Sequence, residues 1–173
     1  MDHSDATLKD FLLQNKDNIL EKWFKLVLQE YPAETTRFWG NLQNIFTNPV
    51  GNSFYEGLQG VYEELLQEKT TDNLSLYLDK IIRIKAVQDL SPSQALYFLL
   101  LLKGLVREEV SVGKNRVRIS VRDLLAFETR VDEAMLLAFN IYMQCREKIY
   151  QLRVSELRKR CDLLERVNMA NEG

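Results

Sequence analysis

The residue types able to do chemistry are few, and their spacing does not suit it. His3 is the single histidine, and it lies in the polar opening MDHSDATLKD. A Ser-His-Asp or Cys-His relay needs an imidazole held in place by a third group, and a histidine zinc site needs several ligands. One histidine in a tail supplies neither. The cysteines Cys145 and Cys161 fall in one predicted helix. At 1.5 Å rise per residue they stand roughly 24 Å apart, beyond the reach of an intrachain disulfide. They read as two reduced thiols, with a disulfide across a dimer at Cys161 as the alternative. Neither a GxGxxG nor a GxxxxGK[ST] phosphate loop occurs, so no glycine-rich nucleotide cradle is expected. Carboxylates are plentiful, but on amphipathic helices they read as a solvated face. The sequence predicts a protein that is not an enzyme and holds no cofactor or metal.

Three residues remain as candidates for a pocket or a signal site. Arg83 interrupts the apolar stretch Ile81-Ile82-Arg83-Ile84. A charge buried there needs a partner, which Gln88, Asp89 or a carboxylate of the first helix would supply; the residue reads mainly as a snorkelling or paired arginine and otherwise as one that anchors a ligand. Asn48 opens Asn48-Pro49-Val50-Gly51, which reads as a turn between helices or as part of a ligand mouth. Tyr97 belongs to an aromatic set with Trp23, Phe24, Tyr31, Phe38, Trp39, Phe54 and Phe98, read mainly as core.

The elements that position these residues are predicted to be helices. Glycine (7) and proline (3) are scarce in 173 residues, so turns are few and elements long. Leu8 to Leu28 has apolar residues at helical spacing, with Thr7 or Asp5 as its cap and Pro32 as its stop. Ala33 to Phe46 reads as a short helix and a loop. Ser53 to Gln67 presents Phe54, Leu58, Val61, Tyr62, Leu65 and Leu66 on one side. Thr71 or Asp72 begins the next helix, which runs to about Val87 and presents Leu74, Leu78, Ile81, Ile82 and Lys85. Ser91-Pro92-Ser93-Gln94 is a capping box with proline at the first helical position, where its missing N–H does no harm. The helix after it, Ala95 to Val110, is apolar nearly all round at its start and is expected to be the most buried. Gly113 is placed to end it. Arg116 to Arg122 alternates basic and apolar residues, and reads as a loop feeding a helix capped by Ser120.

From Val121 to Val167 there is neither proline nor glycine, so one helix of roughly 70 Å is predicted. That exceeds the diameter of a small domain, and part of it must leave the body. Leu124, Leu125, Phe127, Val131, Met135, Leu136, Phe139 and Met143 are expected in the core. Beyond them Ile149, Leu152, Leu157, Cys161 and Leu164 form a thinner stripe among dense charge, suited to a two-helix seam. The stripe is imperfect, since Leu152 to Leu157 is a step of five. The basic cluster Arg158-Lys159-Arg160 reads first as a solvated coiled-coil face, then as a docking surface for a protein partner. Nucleic acid comes last, because the net charge is −2.

Hydrophobic residues make up 46% and charged residues 28%, ordinary for one globular domain. No stretch of 18 apolar residues occurs, so no membrane-spanning helix is expected. The N-terminus lacks the pattern of a signal peptide, which makes a cytoplasmic location the default.

KWFKLVLQEYPAETTRFW (residues 22–39), NPVG (48–51) and DKIIRIKAVQDLSPSQALYFLLLLKGLVREE (79–109) occur in that order. The chain resembles, over roughly residues 8–150, the RsbR and RsbRD N-terminal domain family, the RsbT co-antagonist proteins of the bacterial stressosome. The resemblance implies a non-haem, globin-like, all-α helical bundle that forms a homodimer and serves as the input domain of a signalling complex. In full-length members a long last helix leads to a C-terminal STAS domain, which carries the phosphorylated threonines and binds the RsbT kinase. The present sequence stops near the end of that linker, so it is read as a stand-alone input domain or as one cut at the linker. With no histidine besides His3, a conventional proximal haem ligand is missing. The expected organisation is a sensor domain over residues 1–150 and a linker extension of its last helix over 151–173. Three functions compete: a dimeric signal-input module, an adaptor binding a cytoplasmic enzyme through the last helix, and a small-molecule-binding helical domain.

Overall fold

A computed structural model describes residues 7–31, 48–67, 72–88, 90–112 and 119–171. Six helices form among them: α1 (Leu8–Gln14), α2 (Lys16–Gln29), α3 (Pro49–Leu65), α4 (Asp72–Val87), α5 (Pro92–Val112) and α6 (Val121–Asn171). The expected all-helical architecture with a long last helix is observed. His3, Pro32, the short helix expected over 33–46, Asp89 and Gly113 lie outside the described residues.

Local signals account for most helix starts. Thr7 caps α1 in a reciprocal capping box with Asp10. Ser91 and Gln94 form the other, with Ser91 N donating to Gln94 Oε1 at 3.0 Å and Gln94 N donating to Ser91 Oγ at 3.3 Å. Ser120 Oγ accepts from Arg122 N at the start of α6. Two expectations are corrected. The first predicted helix is broken at Asn15, whose backbone leaves helical geometry (φ −103°, ψ 13°) and whose side-chain amide donates to Phe11 O at 2.8 Å. Asparagine offers the backbone this local alternative to continued helix. Asn48 to Gly51 is not a turn but the first turn of α3. Asn48 is the N-cap, its Oδ1 accepting from Val50 N at 3.0 Å and Gly51 N at 3.4 Å, and Pro49 takes the first helical position.

Five helices close around one core in the cyclic order α2, α3, α4, α6, α5, each packed on its two neighbours. Every residue expected on the inner faces of α3 and α4 is buried, Lys85 included. Trp23 stacks on Phe98 with ring centroids 6.0 Å apart and donates its indole N–H to the Phe98 carbonyl at 2.7 Å, which ties α2 to α5. Tyr62 donates to the Leu12 carbonyl at 2.9 Å and ties α3 to α1. Buried Glu128 takes two hydrogen bonds from Arg107, at 2.5 and 2.7 Å, joining α5 to α6. The guanidinium holds that carboxyl below the usual carboxylate range. The predicted burial of α5 is corrected in part. Ala95, Phe98, Leu99, Leu102 and Val106 face inward, while Tyr97 and Leu100 are exposed, so one side of α5 meets solvent.

Glycines let α3 and α4 cross closely. A Cβ on Gly60 would lie 2.2–2.4 Å from three ring carbons of Tyr77, and one on Gly57 would lie 2.7 Å from Ile81 Cγ1. Alanine gains about 1 kcal/mol of helix propensity over glycine, but overpacking costs about 1–3 kcal/mol. Gly60→Ala is expected to lower the thermal midpoint, because the clash is with the ring's near carbons rather than its tip. Calorimetry checks this, and an unchanged or raised midpoint would show that Tyr77 moves aside freely.

Candidate functional site: the uncovered face of the last helix

The 51 residues of α6 span about 77 Å at 1.5 Å per residue. Two apolar faces run along it. Phe127, Val131, Ala134, Ala138, Ile141 and Tyr142 turn inward and are buried, with Cys145 and Ile149 packed against them. Beyond Ile149 every described side chain, from Tyr150 to Val167, is exposed. This is the part of the helix that leaves the body.

The second face is uncovered along its whole length. Leu136, Met143, Tyr150, Leu157 and Leu164 recur every seven residues, and all five are exposed, from 48% at Met143 to 70% at Leu136. Phe139, Val154 and Cys161 fill the intervening positions and are exposed too. At about 100° per residue this stripe lies roughly a third of a turn from the buried face. Leu125, Leu136, Phe139 and Met143 were expected in the core, and their exposure corrects that expectation: apolar character marked both faces, and only one meets the bundle. A shallow groove of about 1000 Å³ follows the stripe past Met143, Tyr150 and Val154.

The five residues expected to form a seam divide between the two faces. Leu157, Cys161 and Leu164 lie on the uncovered stripe. Ile149 is half-buried against the core, and Leu152, although 59% exposed, points close to the direction of the core-facing row. The step of five from Leu152 to Leu157 is a change of face, not an irregular heptad. Sequence reasoning missed Leu136, Phe139, Met143, Tyr150 and Val154 as members of the stripe. The seven-residue spacing through Leu157 was the signal that finds them.

One side chain joins this stripe to the bundle. Arg146 Nη1 donates to the Ala86 carbonyl at 3.2 Å, in the last turn of α4. Its guanidinium lies 5.2 Å from the Tyr150 ring centroid, and Nη2 donates to the Tyr150 hydroxyl at 3.3 Å. Tyr142 donates to the Leu90 carbonyl nearby. The end of α4 and the first projecting turn of α6 thus share a contact.

The candidate pocket residues do not converge. Arg83 is exposed and paired with Asp79 of its own helix at 2.5 Å, in line with the reading of a snorkelling or paired arginine, although the partner is none of those expected. The exposure follows from helix geometry: Ile81, Ile82 and Lys85 share the inner face, and Arg83 points away from it. Asn48 caps α3, Tyr97 is 40% exposed on α5, and no hydrogen bond joins any two of the three.

The buried cation is Lys85, 2% exposed. Its ammonium lies 4.9 Å from the ring centroid of Tyr31 and 5.8 Å from those of Phe54 and Phe98. Burial pushes its pKa down to about 8, against a weaker opposing pull from Glu30. Lys85 stood on the predicted inner face of α4. The consequence of its charge there was the signal left unused.

Among the described residues no group of three or more His, Cys, Asp or Glu is placed to hold a metal, and no helix is long and apolar enough to cross a membrane. The described residues form a helical bundle whose last helix carries an exposed apolar stripe beyond the body. The chain belongs to the RsbT co-antagonist protein RsbRD N-terminal domain family, which it matches over residues 17–157. That family is one of regulatory signalling domains, not of enzymes. The chain is also 26% identical over 160 residues to an uncharacterized protein of Archaeoglobus fulgidus, covering 88% of this chain and 91% of that one. No solved structure matches.

Proposed function

We propose that the chain is the dimeric signal-input domain of a stress-response regulatory system and transmits through α6. Residues 1–150 form the sensor body, of globin-like type, and residues 151–173 extend its last helix as the output rod, at work in the cytoplasm within a larger signalling assembly. The observation that carries this reading is the exposed seven-residue series from Leu136 to Leu164, which starts on the body and runs onto the rod without a gap. A stripe of that length and narrowness suits a second copy of the same helix. Across a parallel seam Arg160 would meet Glu165 favourably and Arg153 would meet Arg158 unfavourably, so flanking charge does not set the direction of pairing. Family membership supports the signalling role. A signal acts by favouring one arrangement of the paired bodies, and the rods pass a shift or rotation onward.

Cys161 provides the test. In a parallel seam it meets its own copy, close enough for a disulfide. Mild oxidation of the purified chain is expected to give a covalent dimer that Cys161→Ser abolishes and Cys145→Ser leaves intact. A chain that stays monomeric by light scattering at tens of micromolar, or a dimer that never cross-links through Cys161, would remove the parallel relay.

A further inference from the structure

Lys85 is a buried charge that forms no ion pair among the described residues; Glu30 acts on it only at a distance. Among the described residues two charged side chains are buried, Lys85 and Glu128. Glu128 meets Arg107 through two hydrogen bonds. The Lys85 ammonium carries three N–H donors, and among the described residues no oxygen accepts from any of them. Among the described residues it meets the faces of three rings. Aromatic faces attract a cation, but they do not replace the oxygen ligands it leaves in water, and a buried charge without such partners is costly.

The surroundings state what would complete it. The walls are the apolar faces of Tyr31, Phe54 and Phe98, contributed by the chain just after α2 and by α3 and α5, with Trp23 stacked behind Phe98. A phosphate or sulfate draws on many donors, and among the described residues this box offers one cation. An apolar wall with a single ammonium matches a monocarboxylate with a hydrophobic body. We propose that the aromatic box around Lys85 binds such an organic acid. Its carboxylate takes the ammonium hydrogen bonds and its body lies against the rings. Tyr31 is the least buried of the three, 9% exposed against 0% for Phe54 and 1% for Phe98. Lys85 immediately precedes Ala86, whose carbonyl holds Arg146 and through it Tyr150. An occupant would therefore sit one residue from the contact between body and rod. The binding itself does not depend on the dimer reading.

The test is calorimetric titration and thermal shift on the full chain at pH 7, with hexanoate and benzoate as probes. Hexanamide and benzamide serve as neutral counterparts and inorganic phosphate as a bare anion. At least one carboxylate is expected to bind and raise the thermal midpoint, with its amide at least tenfold weaker. Lys85→Met is expected to lose at least tenfold in carboxylate affinity, and Lys85→Arg to keep a measurable part of it. Trp23 emission should change on binding in step with the heat. No binding by either carboxylate, equal binding of the amides, response to phosphate alone, or undiminished carboxylate binding by folded Lys85→Met would each overturn the assignment. None of these outcomes bears on Cys161 cross-linking, so the two readings fail separately.

Discussion

Leu157→Glu is expected to weaken dimerisation at least a hundredfold while leaving the body folded. Leu157 lies on the projecting part of α6, is 60% exposed and is not part of the described hydrophobic core. Its loss therefore takes no core contact from the monomer. In a parallel seam the two copies would place carboxylates face to face in a desolvated strip, where like charges repel and each loses its hydration. A hundredfold is about 2.7 kcal/mol, a modest figure for one buried leucine replaced by a charge on each chain. Leu152→Glu is the matched control. It lies five residues away on the same exposed rod and adds the same charge, but its side chain points away from the stripe. Sedimentation equilibrium on both variants is expected to show a dissociated Leu157→Glu and a wild-type-like Leu152→Glu, with helical content unchanged in each. Equal loss in both would mean that charge on the rod, not the stripe, governs association. Equal persistence would mean that the copies meet elsewhere.

That control also marks how far the sequence could be read. The rod was legible because forty-seven residues without proline or glycine have no way to turn. The caps at Thr7, Ser91 and Ser120 were legible because serine and threonine oxygens satisfy first-turn amides by local chemistry alone. What surrounds α6 was not legible. Its two apolar faces are equally hydrophobic, and the difference between Phe127, buried, and Leu136, 70% exposed, lies in where α4 and α5 happen to pack. The break at Asn15 was hidden for a related reason: apolar spacing continues through it, and only the amide's bond to Phe11 O ends the first helix. Asn48-Pro49-Val50-Gly51 uses residues that serve turns and helix starts alike, so composition favoured the wrong one. For the buried charge the period was sufficient. Lys85 is seven residues after Leu78 and four after Ile81, on the inner face, whereas Arg83 stood out only because its immediate neighbours are apolar.

Lys85→Met is expected to stabilise the protein at neutral pH and to erase a pH dependence that the wild type shows above pH 8. The free amine titrates near 10.5, and burial lowers it to about 8 in the folded chain. Such a shift corresponds to about 3 kcal/mol of penalty for holding the charged form inside. The three rings offset about 1–2 kcal/mol of it. Methionine keeps the length and apolar stem without the charge, so a net gain of about 1–2 kcal/mol at pH 7 is expected. Below pH 8 the lysine is protonated in both folded and unfolded chains, and the penalty is present in full. Between about 8 and 10.5 the folded chain releases the proton while the unfolded chain keeps it. The unfolded state then binds more protons, and stability rises with pH. Of the groups facing the amine, Tyr31 is held neutral through this window because burial raises its pKa. Glu30 favours the ammonium and so narrows the window from below. Denaturant unfolding at pH 7, 8, 9 and 9.5 is expected to show wild-type stability climbing relative to Lys85→Met by about 1–2 kcal/mol. A variant less stable than wild type at pH 7, with parallel pH curves, would mean that the rings fully satisfy the ammonium. The charge would then be a structural element of the core, with no unfilled demand for an anion. A gain on removing the charge would instead leave the fold carrying a destabilising cation at the end of the helix that holds Arg146, the arrangement expected where stability is given up for binding.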